Sequence, residues 1–222
     1  MEYSIRRVIV PPPLNRAWSD PAWGVAETIT LDSFHPKSSG HRPKTEARVV
    51  YDEDGLYVAF HVADRYVRAC ATQSQASVCF DSCVEFFVQP RPGAGYFNFE
   101  LNCIGTILAH YVDTSKPAKK EENHSAVTPE LLREVRIESS LRGPIETEIT
   151  TPLEWTIAWF IPRKIFEHYV GPLGSFAGQT WRANFFKCAD ATSHPHWGSW
   201  SSIGEEFRFH QPARFAPIRF MP

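Results

Sequence analysis

The chain has 222 residues, 14% of them aromatic, and its formal net charge is −2 with acidic and basic residues interspersed. A chain of this composition is not expected to form the basic surface that nucleic-acid binding or attachment to an anionic membrane requires. No apolar run approaches the ~20 residues that a membrane-spanning helix needs. The 18 prolines favour short strands joined by turns over long helices. We therefore expect a globular, strand-rich protein without a nucleic-acid or membrane partner.

The chain opens with a predicted strand over residues 4–10, followed by three prolines and a loop. We interpret residues 1–23 as an N-terminal extension of one domain that covers residues 1–222. The apolar run at residues 8–10 is too short for a signal peptide. The chain as given is expected to be cytoplasmic, or extracytoplasmic if a signal was removed.

Residues 45–64 predict a β-hairpin, because apolar and polar side chains alternate on both sides of an acidic turn. The turn is predicted at residues 52–55, with Gly55 supplying a positive φ. Its carboxylates could bind a structural calcium ion, but the same residues make an ordinary turn. No other cofactor is predicted.

The stretch from Phe80 to Tyr111 predicts strands over residues 83–88, 96–102 and 106–111. Side chains alternate faces along a strand, so Glu85 lies on the face opposite to its apolar neighbours. On the next strand Asn98, Glu100 and Asn102 form a polar row. A polar face on adjacent strands is the first candidate binding surface.

The remaining sequence predicts further short elements separated by turns. We expect a solvated loop at 115–128 and a long loop at 190–204. Residues 131–140 fit a short helix running into a strand, or a strand throughout, and residues 162–166 fit a helical turn. Further strands are expected at 145–149, 155–161, 180–188 and 212–220. This pattern predicts an all-β fold, an antiparallel sandwich of two sheets of the jelly-roll or immunoglobulin-like type.

Two kinds of sugar chemistry fit the polar face. Glu85, Glu100 and Asn102 could bind sugar hydroxyls, while aromatic rings stack on the apolar faces of the sugar; the candidate rings are Trp197, Trp200, Phe207 and Phe209. Alternatively, Glu85 and Glu100 could act as the paired carboxylates of a glycoside hydrolase, provided that they face each other on adjacent strands.

Metal and haem binding are weaker hypotheses. Asp190, His194 and His196 lie in one predicted loop with His210 nearby, but no zinc-binding spacing supports them. The five cysteines are expected to be free thiols, and Cys79 and Cys83 could form a disulfide only across a bend. A haem module would need Met or His axial ligands, and the only methionines, Met1 and Met221, are terminal.

Three stretches of the chain resemble the family 9 carbohydrate-binding modules and related DOMON-like β-sandwiches. They are the hairpin ARVVYDEDGLYVAFHVAD, the segment DSCVEFFVQP with the following YFNFELNCIGTI, and a C-terminal series. That series has a strand ending in Ile-Pro, the run Trp-Arg-Ala-Asn-Phe, a loop with Trp-Ser and a final Pro-x-Arg-Phe. The resemblance covers about residues 24–222.

The resemblance implies a β-sandwich that binds sugar ends in a slot between two aromatic rings. The polar contacts of the family fall on Glu85, on Glu100 where the family has a basic residue, and on Asn102. One ring of the slot falls on Val78, with Phe80 the nearest aromatic residue, and the other falls on Phe209.

We therefore expect a non-catalytic carbohydrate-binding module that recognises oligosaccharide or polysaccharide ends. The resemblance also implies a link to the degradation of xylan-type polysaccharides. The predicted site is Glu85, Glu100, Asn102, Phe80, Trp197, Trp200 and Phe209. The alternatives left open are a glycoside hydrolase and a degenerate module that mediates protein contacts.

Overall fold

The computed structural model describes residues 1–116 and 123–222. Its strands are β1 (Tyr3–Arg7), β2 (Ile29–Thr30), β3 (Ser33–Phe34), β4 (Lys44–Tyr51), β5 (Gly55–Asp64), β6 (Val67–Ala69), β7 (Cys83–Gln89), β8 (Tyr96–Asn102), β9 (Ile107–Val112), β10 (His124–Ala126), β11 (Arg136–Ser139), β12 (Ile145–Ile149), β13 (Leu153–Pro162), β14 (Thr180–Cys188), β15 (Trp197–Ser199) and β16 (Ala216–Phe220). The helices are α1 (Pro129–Leu132) and α2 (Arg163–Val170). In the part of the chain that is described, no helix is long and apolar enough to cross a membrane.

Most of the strands form two sheets that share β1, while β6 and β12 pair in a separate two-stranded sheet. The first sheet has the order β10-β9-β8-β7-β14-β16-β1, and the second has the order β1-β4-β5-β13-β11. Residues Tyr3 to Ile5 pair with β16, and Arg6 and Arg7 pair with β4, in both cases in parallel. The other neighbours along both sheets are antiparallel. One strand thus passes from the first sheet to the second.

The main core lies between the two sheets. Phe86 of β7 and Phe185 of β14 face Phe60 of β5 across the sandwich, and the ring centroids of Phe60 and Phe185 lie 6.1 Å apart. Phe60 also stacks on Trp159 of β13 at 5.6 Å. Because apolar side chains alternate along each strand, both sheets bury one face here. The predicted all-β sandwich is confirmed.

Chain segments outside the sheets cover parts of both outer faces. Trp23 is fully buried against Tyr57 and Phe160 on the outer side of the second sheet. On the outer side of the first sheet, Ile203 and Phe215 pack against Phe87. Ile203 and Phe215 do not cover the part of the first sheet that carries Asn98 and Glu100.

Several local predictions need correction. The hairpin turn has the predicted position, but Gly55 does not have a positive φ. Glycine is needed there because an added Cβ would lie 2.1 Å from the carbonyl oxygen of Ile161 on β13. The predicted loop at 190–204 contains β15, which joins β14 to β3. The end of the predicted loop at 115–128 forms β10, while residues 117–122 lie outside the described residues.

A buried charged cluster lies at one end of the sandwich. Lys187 of β14 is fully buried, with its Nζ 3.4 Å from Asp64 Oδ2 and 2.8 Å from His196 Nε2. Because the ammonium donates to Nε2, the proton of the neutral His196 ring lies on Nδ1, which donates to the carbonyl oxygen of His194 at 2.9 Å. Asp64 also accepts a hydrogen bond from His41 Nε2 at 2.7 Å. Attraction to Lys187 and the hydrogen bond from His41 outweigh burial and hold the pKa of Asp64 well below its usual value.

We expect His196 to make the protein less stable as the pH falls. Burial, aided by the charge of Lys187, lowers the pKa of His196 to about 3. The unfolded chain takes up a proton on His196 below about pH 6.5 and the folded chain does not, so each pH unit between 6.5 and 3 lowers the free energy of unfolding by about 1.4 kcal/mol. Between pH 7 and pH 5 the wild type should lose about 2 kcal/mol more than His196→Gln, measured by urea unfolding. Equal losses in the two proteins would contradict this assignment.

Candidate functional site

A cavity of about 450 Å³ opens on the outer face of the first sheet. Its floor consists of side chains that point away from the core on neighbouring strands: Glu85 of β7, Asn98 and Glu100 of β8, Leu108 and His110 of β9, His124 of β10 and Cys188 of β14. The register places Glu85 directly opposite Glu100 on β8 and opposite Phe186 on β14. Glu85, Asn98 and Glu100 of the predicted polar face therefore lie at the bottom of a cavity, whereas Asn102 does not line it.

The walls come from loops and short turns. Phe209 stacks on Phe186, with ring centroids 4.1 Å apart, and lines one side. Trp197 of β15 lies at the other side, where its Nε1 donates to Asp190 Oδ1 at 2.7 Å. Phe207 stands edge-on to Trp197 at 4.6 Å. These contacts hold three rings around a polar floor.

The two glutamates on the floor are almost fully buried. Glu85 is 2% exposed and Glu100 is 7% exposed. Burial and the neighbouring charge of Glu100 raise the pKa of Glu85 well above its usual value, so Glu85 favours the protonated form. Asn98 Nδ2 donates to Glu100 Oε1 at 2.7 Å. The buried Oδ1 of Asn98 has no hydrogen-bond partner in the described structure, and it can accept a bond from a ligand.

Three histidines also line the cavity. The Tyr96 hydroxyl lies 2.7 Å from His210 Nδ1. The His124 ring lies 5.3 Å from the His210 ring and 6.0 Å from the His110 ring. His110, His124, His210 and Arg208 thus line the same cavity as the two carboxylates.

Comparison with known protein families assigns the chain. The profile described as Carbohydrate-binding family 9 matches residues 24–220. The chain belongs to carbohydrate-binding family 9. The match covers nearly the whole sequence, and it agrees with the resemblance carried by the hairpin and the Asp-Ser-x-Val-Glu segment. The protein is therefore a carbohydrate-binding module.

Solved structures share the fold of this family 9 module. One is a Bacteroides uniformis protein to which carbohydrate binding has been provisionally assigned, with 31% identity, a TM-score of 0.87, and coverage of 99% of this chain and 98% of that chain. A family 9 module from Caldicellulosiruptor kristjanssonii in complex with glucose has 11% identity and a TM-score of 0.63, covering 99% and 95% of the two chains. Its cellotriose complex gives 12% identity, a TM-score of 0.61 and coverage of 100% and 94%. No curated protein sequence matches the chain.

Four of the predicted site residues lie together at the cavity: Glu85, Glu100, Trp197 and Phe209. The structure places the other three elsewhere. Asn102 is fully buried, where it donates to Asp81 Oδ2 and to the carbonyl oxygen of Ala71 and accepts from the amide of Thr106. Asn102 therefore fixes the end of β8.

Trp200 and Phe80 also lie away from the cavity lining. Trp200 is 6% exposed and packs edge-on against Tyr3 and Phe185 in the main core, so the prediction that it lines the rim is corrected. Phe80 is 53% exposed and does not line the cavity. Val78, where the resemblance implies a ring, is buried in a cluster with Cys83, Leu108 and Cys188.

The predicted metal ligands of the 190s loop do not converge. His194 stacks on Tyr66 at 3.6 Å, His196 bonds to Lys187, and Asp190 accepts from Trp197. His210 lines the cavity instead. In the acidic turn, Asp52 accepts bonds from the amides of Asp54 and Gly55. Calcium binding at this turn stays a prediction. Among the described residues the five cysteines are free thiols.

Sequence reasoning missed much of the cavity. Asn98 belongs to the predicted polar row but was not among the predicted site residues. His110, His124, Arg208 and His210 come from strands and loops whose neighbours the sequence does not reveal. Strand parity could have separated the two tryptophans, because residues at even and odd positions of β15 and its extension point to opposite sides.

Proposed function

We propose that this module binds the ends of oligosaccharides in the cavity above β7 and β8. The observation that carries the proposal is the combination of buried carboxylates on the floor with aromatic rings on the walls. A volume of about 450 Å³ falls in the usual range for small-ligand sites. The related module from Caldicellulosiruptor kristjanssonii was solved with glucose and with cellotriose, which supports a β-linked glucose end as a first ligand to test.

The cavity offers both kinds of contact that a sugar needs. Glu100 and the free Oδ1 of Asn98 can accept hydrogen bonds from ring hydroxyls, and protonated Glu85 can donate one. Phe209, Trp197 and Phe207 supply apolar surfaces for the C–H faces of the sugar. The ring that the family has at Val78 is thus replaced by rings from the segment 207–209 and from β15.

We further propose that, in the cell, the module keeps a polysaccharide-degrading enzyme close to its substrate. A xylan-type polymer is the substrate suggested by the family resemblance. Titration with xylotriose beside cellotriose separates this proposal from general glucan binding, because a xylose end lacks the hydroxymethyl group. Tighter binding of cellotriose by tenfold or more would argue against xylan as the natural polymer.

We expect Phe209→Ala to weaken sugar binding by at least about tenfold, because it removes a ring that lines the cavity. Isothermal titration with glucose, cellotriose and xylotriose measures the effect. Phe80→Ala is the matched control, since this ring is exposed outside the cavity and its loss should leave binding unchanged. The proposal fails if none of the sugars binds to the wild type, or if both variants bind them as the wild type does.

Hydrolysis of a glycosidic bond is a second candidate function. The direct opposition of Glu85 and Glu100, with the pKa of Glu85 raised, provides the acid and the carboxylate that such a reaction uses. Release of reducing sugar from a polysaccharide, lost in Glu85→Gln, would establish this function. Binding without any release of reducing sugar would leave the module non-catalytic, as proposed.

A further inference from the structure

We propose that Cys83, Glu85 and Cys188 form a site for one thiophilic divalent metal ion, zinc by chemistry, at the floor of the sugar cavity. Within the described residues, these are the three side chains whose ligand atoms all lie within 4.8 Å of one another. The proposal does not depend on sugar binding, because the three ligands are brought together by the sheet itself.

The sheet register creates this site. Cys83 and Glu85 lie on the same face of β7, and Cys188 of β14 is directly opposite Cys83. Glu85 Oε1 lies 3.2 Å from Cys188 Sγ and 4.0 Å from Cys83 Sγ. In a tetrahedral zinc site, an oxygen and a sulfur ligand lie about 3.6 Å apart, as follows from bond lengths of about 2.1 and 2.3 Å. The two observed oxygen–sulfur distances lie on either side of this value, and the two sulfur atoms lie within 4.8 Å of each other.

The chemistry of the ligands selects the metal. Two thiolates with one carboxylate suit zinc, whereas calcium and magnesium prefer sites made wholly of oxygen. The three side chains are at most 2% exposed, so they are largely shielded from bulk water. Both thiols pack with the apolar side chains of Val78 and Leu108. Each thiol lies near Glu85 Oε1 and near one backbone carbonyl oxygen, that of Val84 for Cys83 and that of Cys79 for Cys188.

The fourth coordination position points to the cavity. Glu85 and Cys188 both line the cavity, as do Cys79 and Asp190. A closed zinc site would take its fourth ligand from Cys79 or Asp190, and an open one would hold water there. The metal would bind as the thiols lose their protons to solvent, so no oxidant or reductant is needed.

Titration of the reduced protein with Co²⁺ tests the proposal. We expect a near-ultraviolet absorption band from sulfur-to-cobalt charge transfer that saturates at one equivalent, and its loss on addition of Zn²⁺. Cys188→Ala and Glu85→Gln should weaken Co²⁺ binding by at least tenfold. Cys103→Ala is the matched control, because this buried thiol lies in the main core and should not affect the band.

A second measurement does not depend on a folded variant. X-ray absorption of the zinc-loaded wild type should show two sulfur ligands at about 2.3 Å. Three sulfurs would place Cys79 in the fourth position and also support the site. A shell of nitrogen and oxygen alone, the absence of a charge-transfer band, or an unchanged band in folded Cys188→Ala would overturn the proposal. A Cys83–Cys188 disulfide that survives strong reductant would overturn it as well.

Discussion

Replacing Lys187 by Met is expected to lower the free energy of unfolding by about 3–5 kcal/mol. The ammonium of Lys187 lies in the buried cluster with Asp64 and His196, where all three side chains are shielded from solvent. Removing it takes away the ion pair of Asp64 Oδ2, an oxygen that has no hydrogen-bond partner in the described structure. Methionine keeps much of the volume of lysine, so the loss reports mainly the charge. Urea unfolding followed by tryptophan fluorescence at pH 7 measures the change.

The control for this prediction is Lys164→Met. Lys164 pairs with Glu134 at the surface, where both side chains are largely accessible to solvent. Surface ion pairs contribute up to about 1 kcal/mol, so Lys164→Met should change stability by no more than that. Adding Asp64→Asn to Lys187→Met should restore part of the loss, because it removes the uncompensated carboxylate. If Lys187→Met costs no more than Lys164→Met, the buried pair does not stabilise the fold.

Replacing Trp200 by Ala is expected to cost about 3–5 kcal/mol of stability while leaving the sugar cavity intact. The Trp200 ring fills the core between Tyr3 of β1 and Phe185 of β14, so its loss creates a cavity where the two sheets meet. Trp197→Ala should have the converse effect. It removes a ring from the cavity wall, so binding of sugar should weaken while stability falls less.

The two tryptophan variants are best compared in one experiment. Thermal unfolding gives the stability of each variant, and isothermal titration below the lower melting temperature gives the affinity for cellotriose. We expect a large loss of stability with unchanged affinity for Trp200→Ala, and weakened affinity for Trp197→Ala. Similar effects of both variants on affinity would mean that Trp200 supports the site through β15, and its assignment to the core alone would be wrong.

The strands were predictable wherever the sequence itself carries the pattern. The alternation in β4, β5, β7 and β8 identifies the hairpin, the buried faces and the polar face that holds Glu85 and Glu100. The turn after β4 has the predicted position, but the reason for Gly55 is its contact with Ile161 on β13. A contact between residues so far apart in sequence leaves no local signal.

The site was predictable only where its residues lie on consecutive strands. Glu85 and Glu100 oppose each other because β7 and β8 are joined by a short turn. Cys188 joins them because β14 pairs with the other side of β7, and neither alternation nor spacing reveals that pairing. Trp200 was predicted at the cavity rim although its odd spacing from Trp197 points the two rings to opposite sides. This spacing could not be used, because β15 is too short to be recognised in a segment rich in Ser, Gly and His.

The strand shared by the two sheets has a consequence for the order of folding. β1 precedes every other strand in the sequence, yet three of its residues pair with β16, the last strand. Contacts between such distant segments require a long loop to close, which slows folding. The hairpin of β4 and β5 can form early, because its partners are adjacent in sequence. The edge of β14 at residues 180–183 therefore stays unpaired until β16 has been synthesised.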